Sequence, residues 1–242
     1  MSPLALALRA LLLRGRTLAL ALLPLGVGVV AVAVALLADT GDLEGVYAVL
    51  GADLLVSLVV ALVALVLGVN AFDDEREGGT MPLLMATATP RWRIVGAKLA
   101  AAWIATVTVC LPAVLGCGVL GTRAGLGAGE VWGSLVLTTA LSSAGYVALF
   151  VLLSLLSRRS LLIGLAYVLV WEGLLATYAT ALKNMSVGAY GRRILGSAWD
   201  SGSVPFETAD VGTLGAVAVL VGISVAAAGG SARRLPRVDA NA

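Results

Sequence analysis

The chain has 242 residues, of which 60% are hydrophobic and only 12% are charged, with no histidine and a formal net charge of +2. Soluble domains carry about 25% charged residues, so this composition excludes a water-soluble domain and requires the lipid bilayer as solvent. The small net charge, without a basic stripe, excludes nucleic acid as a main partner. Without histidine, the commonest metal ligand and general base are missing, and we predict no catalytic or metal site.

Residues 2–16 precede the first long apolar run and contain leucines at helical spacing, with Arg9 and Arg16 elsewhere around the helix. This pattern predicts a short helix lying in the membrane interface; the alternative is that these residues extend the first span. The apolar run that follows exceeds the roughly 7–15 residues of a signal-peptide core. We therefore expect a retained span.

Six apolar stretches are long enough to cross a hydrocarbon core of about 30 Å as helices of about 20 residues. Because backbone groups in lipid must be hydrogen-bonded within the segment, each stretch is predicted to be helical. The predicted fold is a single all-α membrane domain over 1–242, with spans near 17–38, 52–72, 97–120, 131–156, 160–182 and 211–230.

The distribution of basic residues predicts the orientation, since Lys and Arg concentrate on the cytoplasmic side. With the N-terminus inside, the cytoplasmic side holds twelve of the sixteen basic residues: Arg9, Arg14, Arg16, Arg76, Arg91, Arg93, Lys98, Arg158, Arg159, Arg233, Arg234 and Arg237. The outer side holds Arg123, Lys183, Arg192 and Arg193. Both termini are therefore predicted to be cytoplasmic, although 183–210 carries three basic residues on the outer side.

The stretch between the second and third spans, 73–98, is the least apolar part of the core. An acidic helix end is followed by Gly78 and Gly79, which permit a turn without a Cβ penalty. Thr80 can cap a short amphipathic helix, whose apolar face includes Leu84, and Pro90 ends that helix. The pattern predicts a cytosolic helix placed before the chain re-enters the membrane.

At these residues the chain resembles the ABC-2 type permease family, which has E-R-x-x-G-T-L-x-x-L-L, then P-x-x-R and a G-K, in this loop. The matching residues, in order, are Glu75, Arg76, Gly79, Thr80, Leu83, Leu84, Arg91 and Lys98. Two departures loosen the register: Pro90 directly precedes Arg91, and Ala97 separates Gly96 from Lys98. Trp171-Glu172-Gly173, Ser186 and Tyr190 also look like the copper-associated (NosY-like) and drug-export branches of that family.

The resemblance implies the membrane subunit of an ABC exporter with a type V fold in a prokaryotic cell membrane. Two ATPase subunits, which bind ATP and Mg, would work with this chain and a second permease chain, identical or homologous. The sequence itself has no G-x-x-x-x-G-K-[ST] phosphate-binding motif, so this chain is not predicted to bind a cofactor. The ATPase would contact a coupling segment at about 73–96 and its flank: Glu75, Arg76, Glu77, Gly79, Thr80, Leu84, Pro90, Arg91 and Lys98.

Glu172 is the only carboxylate well inside a predicted span. Such a charge is costly in lipid and usually faces protein or water, where it has a function. It is a candidate for the translocation path or an outer gate, and alternatively for a structural tether between helices. The resemblance also implies re-entrant outer segments between the fifth and sixth spans, which would place Glu172 near water and would explain the basic residues at 183–193.

In the last span, Gly215, Gly222 and Gly229 recur every seven residues and so lie on one helical stripe. Small residues in such a stripe allow another helix to approach closely. The stripe predicts helix packing, either within the subunit or across a dimer.

Two other classes of function compete with the permease. An ion-coupled secondary transporter could use Glu172 as its cation or proton site, although paired broken helices in two matching halves are absent from the sequence. A membrane enzyme would need histidine or clustered membrane carboxylates for acid–base or metal chemistry, and the sequence supplies neither.

Overall fold

The structure is a computed structural model that describes residues 15–38, 43–77, 91–157, 159–175, 183–199 and 204–234. Within these ranges the chain is helical, with short connections and no strand. Five helices are long and apolar enough to cross a membrane, and a shorter apolar helix, Ser160–Gly173, lies where the fifth span is predicted. The all-α membrane class is confirmed with five long apolar helices, and a sixth complete span stays a prediction.

We number the helices in chain order. They are α1 (Gly15–Leu37), α2 (Leu43–Ala48, Val49–Val59 and Val60–Glu77), α3 (Arg91–Arg123), α4 (Ala128–Leu156), α5 (Ser160–Ala166 and Tyr167–Leu175), α6 (Val187–Leu195) and α7 (Thr213–Arg234). The middle stretch of α2 and the second stretch of α5 are π-helical, and one turn of 3₁₀-helix stands on each side of α6, Lys183–Met185 and Gly196–Ala198.

The helix α2 lies at the centre of the bundle. In its most apolar stretch 67% of the residues are buried, against 22% in α1 and 17% in α7. Its Leu55, Leu65 and Phe72 are almost fully buried and form part of the hydrophobic core. Because α1 and α7 are apolar yet exposed, their outer surfaces are suited to lipid, and the centrally placed α2 contacts most of the other helices.

The helices α1 and α3 cross at two glycines. A Cβ on Gly28 would lie 2.3 Å from the carbonyl oxygen of Pro112, and a Cβ on Gly116 would lie 2.3 Å from the carbonyl oxygen of Gly28. No other residue fits at this crossing without moving one backbone, which is the close approach that small residues permit between membrane helices. Near the ends of the same two helices, Arg123 Nε donates a hydrogen bond of 3.1 Å to the carbonyl oxygen of Ala35.

The two ends of the bundle differ. At one end, which we call the coupling end, α2 stops at Glu77 and α3 begins at Arg91. At the other, which we call the cap end, residues 183–199 and 204–212 fold back over the beginning of α2. There Trp199 stacks on Tyr47 at 5.3 Å between ring centroids, and its indole N–H donates to the carboxylate of Glu44. The described part of this segment, which includes α6, therefore covers the beginning of α2.

Candidate functional site

The carboxylate of Glu172 lies at the N-terminus of α6. Glu172 is only 1% exposed and stands in the π-helical part of α5. It accepts hydrogen bonds from Tyr167 Oη at 2.9 Å, from the backbone N–H of Val187 at 3.0 Å and of Gly188 at 3.3 Å, and from the hydroxyl of Ser186. The acid that stands out in the sequence is therefore enclosed by donors from its own helix and from α6.

Helix physics explains this arrangement. The first backbone N–H groups of a helix lack intrahelical partners, and the helix dipole places partial positive charge there, so a carboxylate is stabilised at that end. Ser186 is the N-cap residue, because its Oγ accepts from the backbone N–H of Ala189 at 3.0 Å while its hydroxyl donates to Glu172. The carboxylate and the serine together satisfy donors that would otherwise be orphaned in an apolar medium.

Gly188 lies where the polar side chains of this cluster approach α6 most closely. A Cβ at this position would lie 2.7 Å from Glu172 Oε2, 3.1 Å from Tyr146 Oη and 3.2 Å from Ser57 Oγ. Three helices, α2, α4 and α5, thus place a polar side chain at the first turn of α6. A larger residue than glycine would have to displace the carboxylate.

Arg192 is the second buried charge of the cluster and belongs to the last turn of α6. Only 2% of the residue is exposed. Its Nη1 donates to Ser57 Oγ at 2.5 Å and its Nε donates to the carbonyl oxygen of Glu207 at 2.9 Å. With an anion at its first turn and a cation in its last turn, α6 has its dipole complemented at both ends.

A polar stripe on α4 faces the same short helix. Thr138, Ser142 and Tyr146 follow one another at intervals of four residues and are buried. Thr138 Oγ1 donates to the carbonyl oxygen of Gly191 at 3.3 Å, and a Cβ on Gly191 would lie 2.4 Å from Ser142 Oγ. Within the described residues, the hydroxyl of Ser142 has no hydrogen-bond partner.

The cluster lies well inside the membrane-spanning part of the bundle. Ser57 is about fifteen helical residues, or ~22 Å, from the apolar end of α2 at Phe72. Glu172 is about twelve residues, or ~18 Å, from the start of α5 at Ser160. Since a hydrocarbon core is about 30 Å thick, these groups lie far from the coupling end, on the side of the cap.

The predicted coupling residues fall partly outside the described residues. Glu75, Arg76 and Glu77 occupy the helical end of α2, and Arg91 is the first residue of α3. Gly79, Thr80, Leu84 and Pro90 lie in 78–90, outside the described ranges.

Lys98 connects the two helices that flank 78–90. Its Nζ donates to the carbonyl oxygen of Ala71 and stands 4.6 Å from the centre of the Phe72 ring. The third span is therefore fastened to the end of the second, next to the predicted coupling segment, and the role of that segment stays a prediction.

The glycine stripe of α7 contacts no other described helix. Gly215, Gly222 and Gly229 are all exposed. A Cβ on Gly222 or Gly229 would meet no described atom within 4 Å, and one on Gly215 would meet only Val211, just before the helix. Of the two kinds of packing predicted for this stripe, packing within the subunit is not seen among the described residues.

Sequence reasoning missed several residues of this site. In the sequence, Arg192 is only an exception to the charge rule, because its partner Ser57 is 135 positions away. The spacing of Thr138, Ser142 and Tyr146 is a signal that could have been found, since three polar residues on one face of an apolar span indicate a buried polar contact. Among the described residues, no group of three or more His, Cys, Asp or Glu side chains could hold a metal ion.

Five long apolar helices, together with a buried polar cluster, indicate a multi-pass membrane protein. A family model described as "ABC-2 family transporter protein" matches residues 16–195, from α1 to the end of α6. The match covers most of the chain, and the chain belongs to the ABC-2 transporter family, a family of membrane transport components. None of the curated proteins compared with this chain matches it.

Proposed function

We propose that this chain is the permease subunit of an ATP-driven exporter and that a separate ABC ATPase, in two copies, drives it. The observation that carries the proposal is the family match over 16–195, which includes α2, α3 and the sequence between them. The sequence contains no phosphate-binding G-x-x-x-x-G-K-[ST] motif, so ATP and Mg would be bound by the partner.

In this proposal the coupling end faces the cytoplasm, as the distribution of basic residues predicts. The ATPase binds 73–96, and Lys98 helps to transmit the movement because it joins α3 to the end of α2. The cap end faces outward, and Glu172 with α6 belongs to the outer gate. Both termini are then cytoplasmic, in the membrane of a prokaryotic cell.

The enclosure of Glu172 weighs against the ion-coupled alternative. A carboxylate that binds a transported cation or proton must be reached from water at some stage of transport. Here the carboxylate already accepts bonds from Tyr167, Ser186 and two backbone N–H groups of α6. These contacts favour a gate or tether over a cation site.

A second permease chain completes the proposed transporter. Support comes from α7, whose glycine stripe is exposed and contacts no described helix of its own chain. The type V fold and the copper-associated or drug-export branch also belong to the proposal. They are supported by the resemblance at Trp171-Glu172-Gly173 and Ser186, where Ser186 donates directly to Glu172.

Affinity purification of the chain in mild detergent tests the proposal. A stoichiometric P-loop ATPase should co-purify, and Glu75→Ala with Arg91→Ala should reduce its recovery or uncouple ATP hydrolysis from transport. Arg123→Ala with Glu130→Ala removes the same two charges near the cap end and is the matched control, which should leave ATPase binding unchanged. ATP-independent transport by the purified chain would refute the proposal.

A further inference from the structure

Resting on the proposed function, we propose that Arg192 and Ser57 form a latch between α6 and α2, and that the outward-opening step of transport separates them. Both would be positioning residues, since neither needs to touch the cargo. The latch differs from the Glu172 contact, which joins α6 to α5. It instead ties α6 to the helix that continues to the coupling segment.

The burial of Arg192 is the first argument. An arginine at this depth is costly in a membrane and is retained where it has a function. The residue is 2% exposed, and its guanidinium donates to two places, the side chain of Ser57 on α2 and the backbone of Glu207 in the cap. Arg192 is therefore a junction between the cap segment and the central helix.

The conformation of α2 at the contact is the second argument. Ser57 lies in the π-helical stretch Val49–Val59, and it also donates 3.1 Å to the carbonyl oxygen of Ala52, five residues earlier. π-Helical turns are rare and are found frequently at functional sites. The arginine thus contacts the part of α2 in which the helical hydrogen bonding is irregular.

The continuity of α2 is the third argument. Residues 43–77 form one uninterrupted helical run, with Ser57 in its cap-side half and Glu77 at the coupling end. A packed helix transmits displacement as a unit, and packed interfaces switch between discrete arrangements because they do not deform continuously. A movement imposed next to 78–90 would therefore be felt at the Arg192–Ser57 contact.

The test uses a thiol at Leu195, the last residue of α6, which is fully buried. Cys110 and Cys117 are both free, so they are first replaced by alanine, and Leu195→Cys is then added. The rate of reaction with a membrane-impermeant maleimide added from outside measures how often α6 moves away from α2 and exposes this thiol to water. The rate is measured for the chain alone and for its complex with the ATPase, with and without ATP.

The latch predicts that Ser57→Ala and Arg192→Gln each raise the labelling rate about tenfold in the chain alone, as expected for losing a hydrogen bond to a charged group. The double variant should label no faster than Arg192→Gln alone, because Ser57→Ala removes a contact that Arg192→Gln already removes. Two matched controls should label at the parent rate. Ser231→Ala removes a buried hydroxyl that bonds only within α7, and Arg193→Gln alters the neighbouring arginine.

The outcomes separate the latch from the proposed function. If Ser57→Ala labels at the parent rate, the latch is refuted whether or not an ATPase binds. If the complex transports cargo but ATP leaves the parent rate unchanged, the opening step attributed to the latch is refuted. If Ser57→Ala labels fast while no ATPase binds, the contact is supported and the proposed function fails. If ATP raises the labelling rate of the parent complex, and the Ser57→Ala complex is labelled fast with or without ATP, both the latch and the proposed function are supported.

Discussion

In the helices α6 and α7 the relation between polarity and burial is the reverse of that in a soluble protein. The nine residues of α6 include two arginines and one tyrosine, yet eight of the nine are buried. The 22 residues of α7 are almost all small or apolar, yet Leu214 is 86% exposed and Val225 is 66% exposed. The more polar helix lies inside the bundle and the more apolar helix lies at its edge.

The difference follows from the solvent. Lipid is as apolar as leucine, so hydrophobicity alone does not draw α7 into the bundle. Polar groups have no partner in lipid, so Glu172, Arg192 and the two ends of α6 must be hydrogen-bonded inside the protein. In this chain, the need to pair polar groups explains why α6 is buried, and backbone fit decides which helices approach closely.

The sharpest test of this contrast replaces a glycine on each helix by valine. Gly188→Val should be strongly damaging, because its side chain would displace the buried carboxylate of Glu172 and meet Tyr146 and Ser57. We expect a loss of about 3 kcal/mol in stability, measured by thermal unfolding in detergent. Gly222→Val on α7 is the control, since a Cβ there meets nothing within 4 Å. Equal losses in the two variants would contradict the contrast.

A second pair of variants separates backbone fit from helix propensity. Gly28→Leu should drive α1 away from Pro112 on α3, and we expect a loss of about 2–3 kcal/mol. Gly26→Leu is two residues away in the same helix and has no atom within 4 Å of its Cβ position, so it should be tolerated. Thermal unfolding again measures the effect. A tolerated Gly28→Leu would show that the crossing of α1 and α3 is not close-packed.

Glu172→Gln probes the charge at the first turn of α6 with little change in shape. The amide keeps an acceptor for the N–H of Val187 but loses the attraction to the helix dipole, and charge-assisted bonds are about twice as strong as neutral ones. We expect a loss of about 1–2 kcal/mol in stability together with altered basal turnover in the assembled transporter. Unchanged stability and unchanged turnover together would remove Glu172 from the gate.

The smallest effect on the isolated chain is expected for Gly222→Ala with Gly229→Ala. Alanine favours a helix by up to about 1 kcal/mol over glycine, and both positions have room for a methyl group, so stability should rise slightly. If α7 packs against a second permease chain, the bulkier Gly222→Leu with Gly229→Leu should weaken that association, as size-exclusion chromatography with light scattering would show. An unaffected oligomer would place the stripe against lipid.

The sequence predicted the apolar helices well because each is encoded locally. A run of about 20 apolar residues needs no knowledge of its neighbours to be recognised as a helix in a membrane. Glu172 could be singled out for the same reason, since one carboxylate in an apolar run is visible without a fold.

The partners of these residues could not be predicted, because they depend on tertiary contacts. Nothing local links Arg192 to Ser57, or Gly28 to Gly116, although each pair meets in the bundle. The regular spacing on α7 was visible, but spacing defines a face of a helix and does not say what covers it. The irregular pair Gly28 and Gly116 makes the close crossing, whereas the regular Gly222 and Gly229 do not.

The bond from Arg123 to Ala35 bears on how the protein is built. Synthesis proceeds from the N-terminus, so α1 enters the bilayer before α3 exists. Gly28 has no packing partner until Pro112 and Gly116 have been synthesised. The carbonyl oxygen of Ala35, in the last turn of α1, likewise has no donor until Arg123 is made 88 residues later. The first helix must therefore remain as a single apolar rod beside the translocation machinery or in lipid while α2 is inserted. Only 22% of the most apolar stretch of α1 is buried in the folded protein, so most of its surface faces lipid there. The same surface is therefore stable in lipid before α3 is inserted.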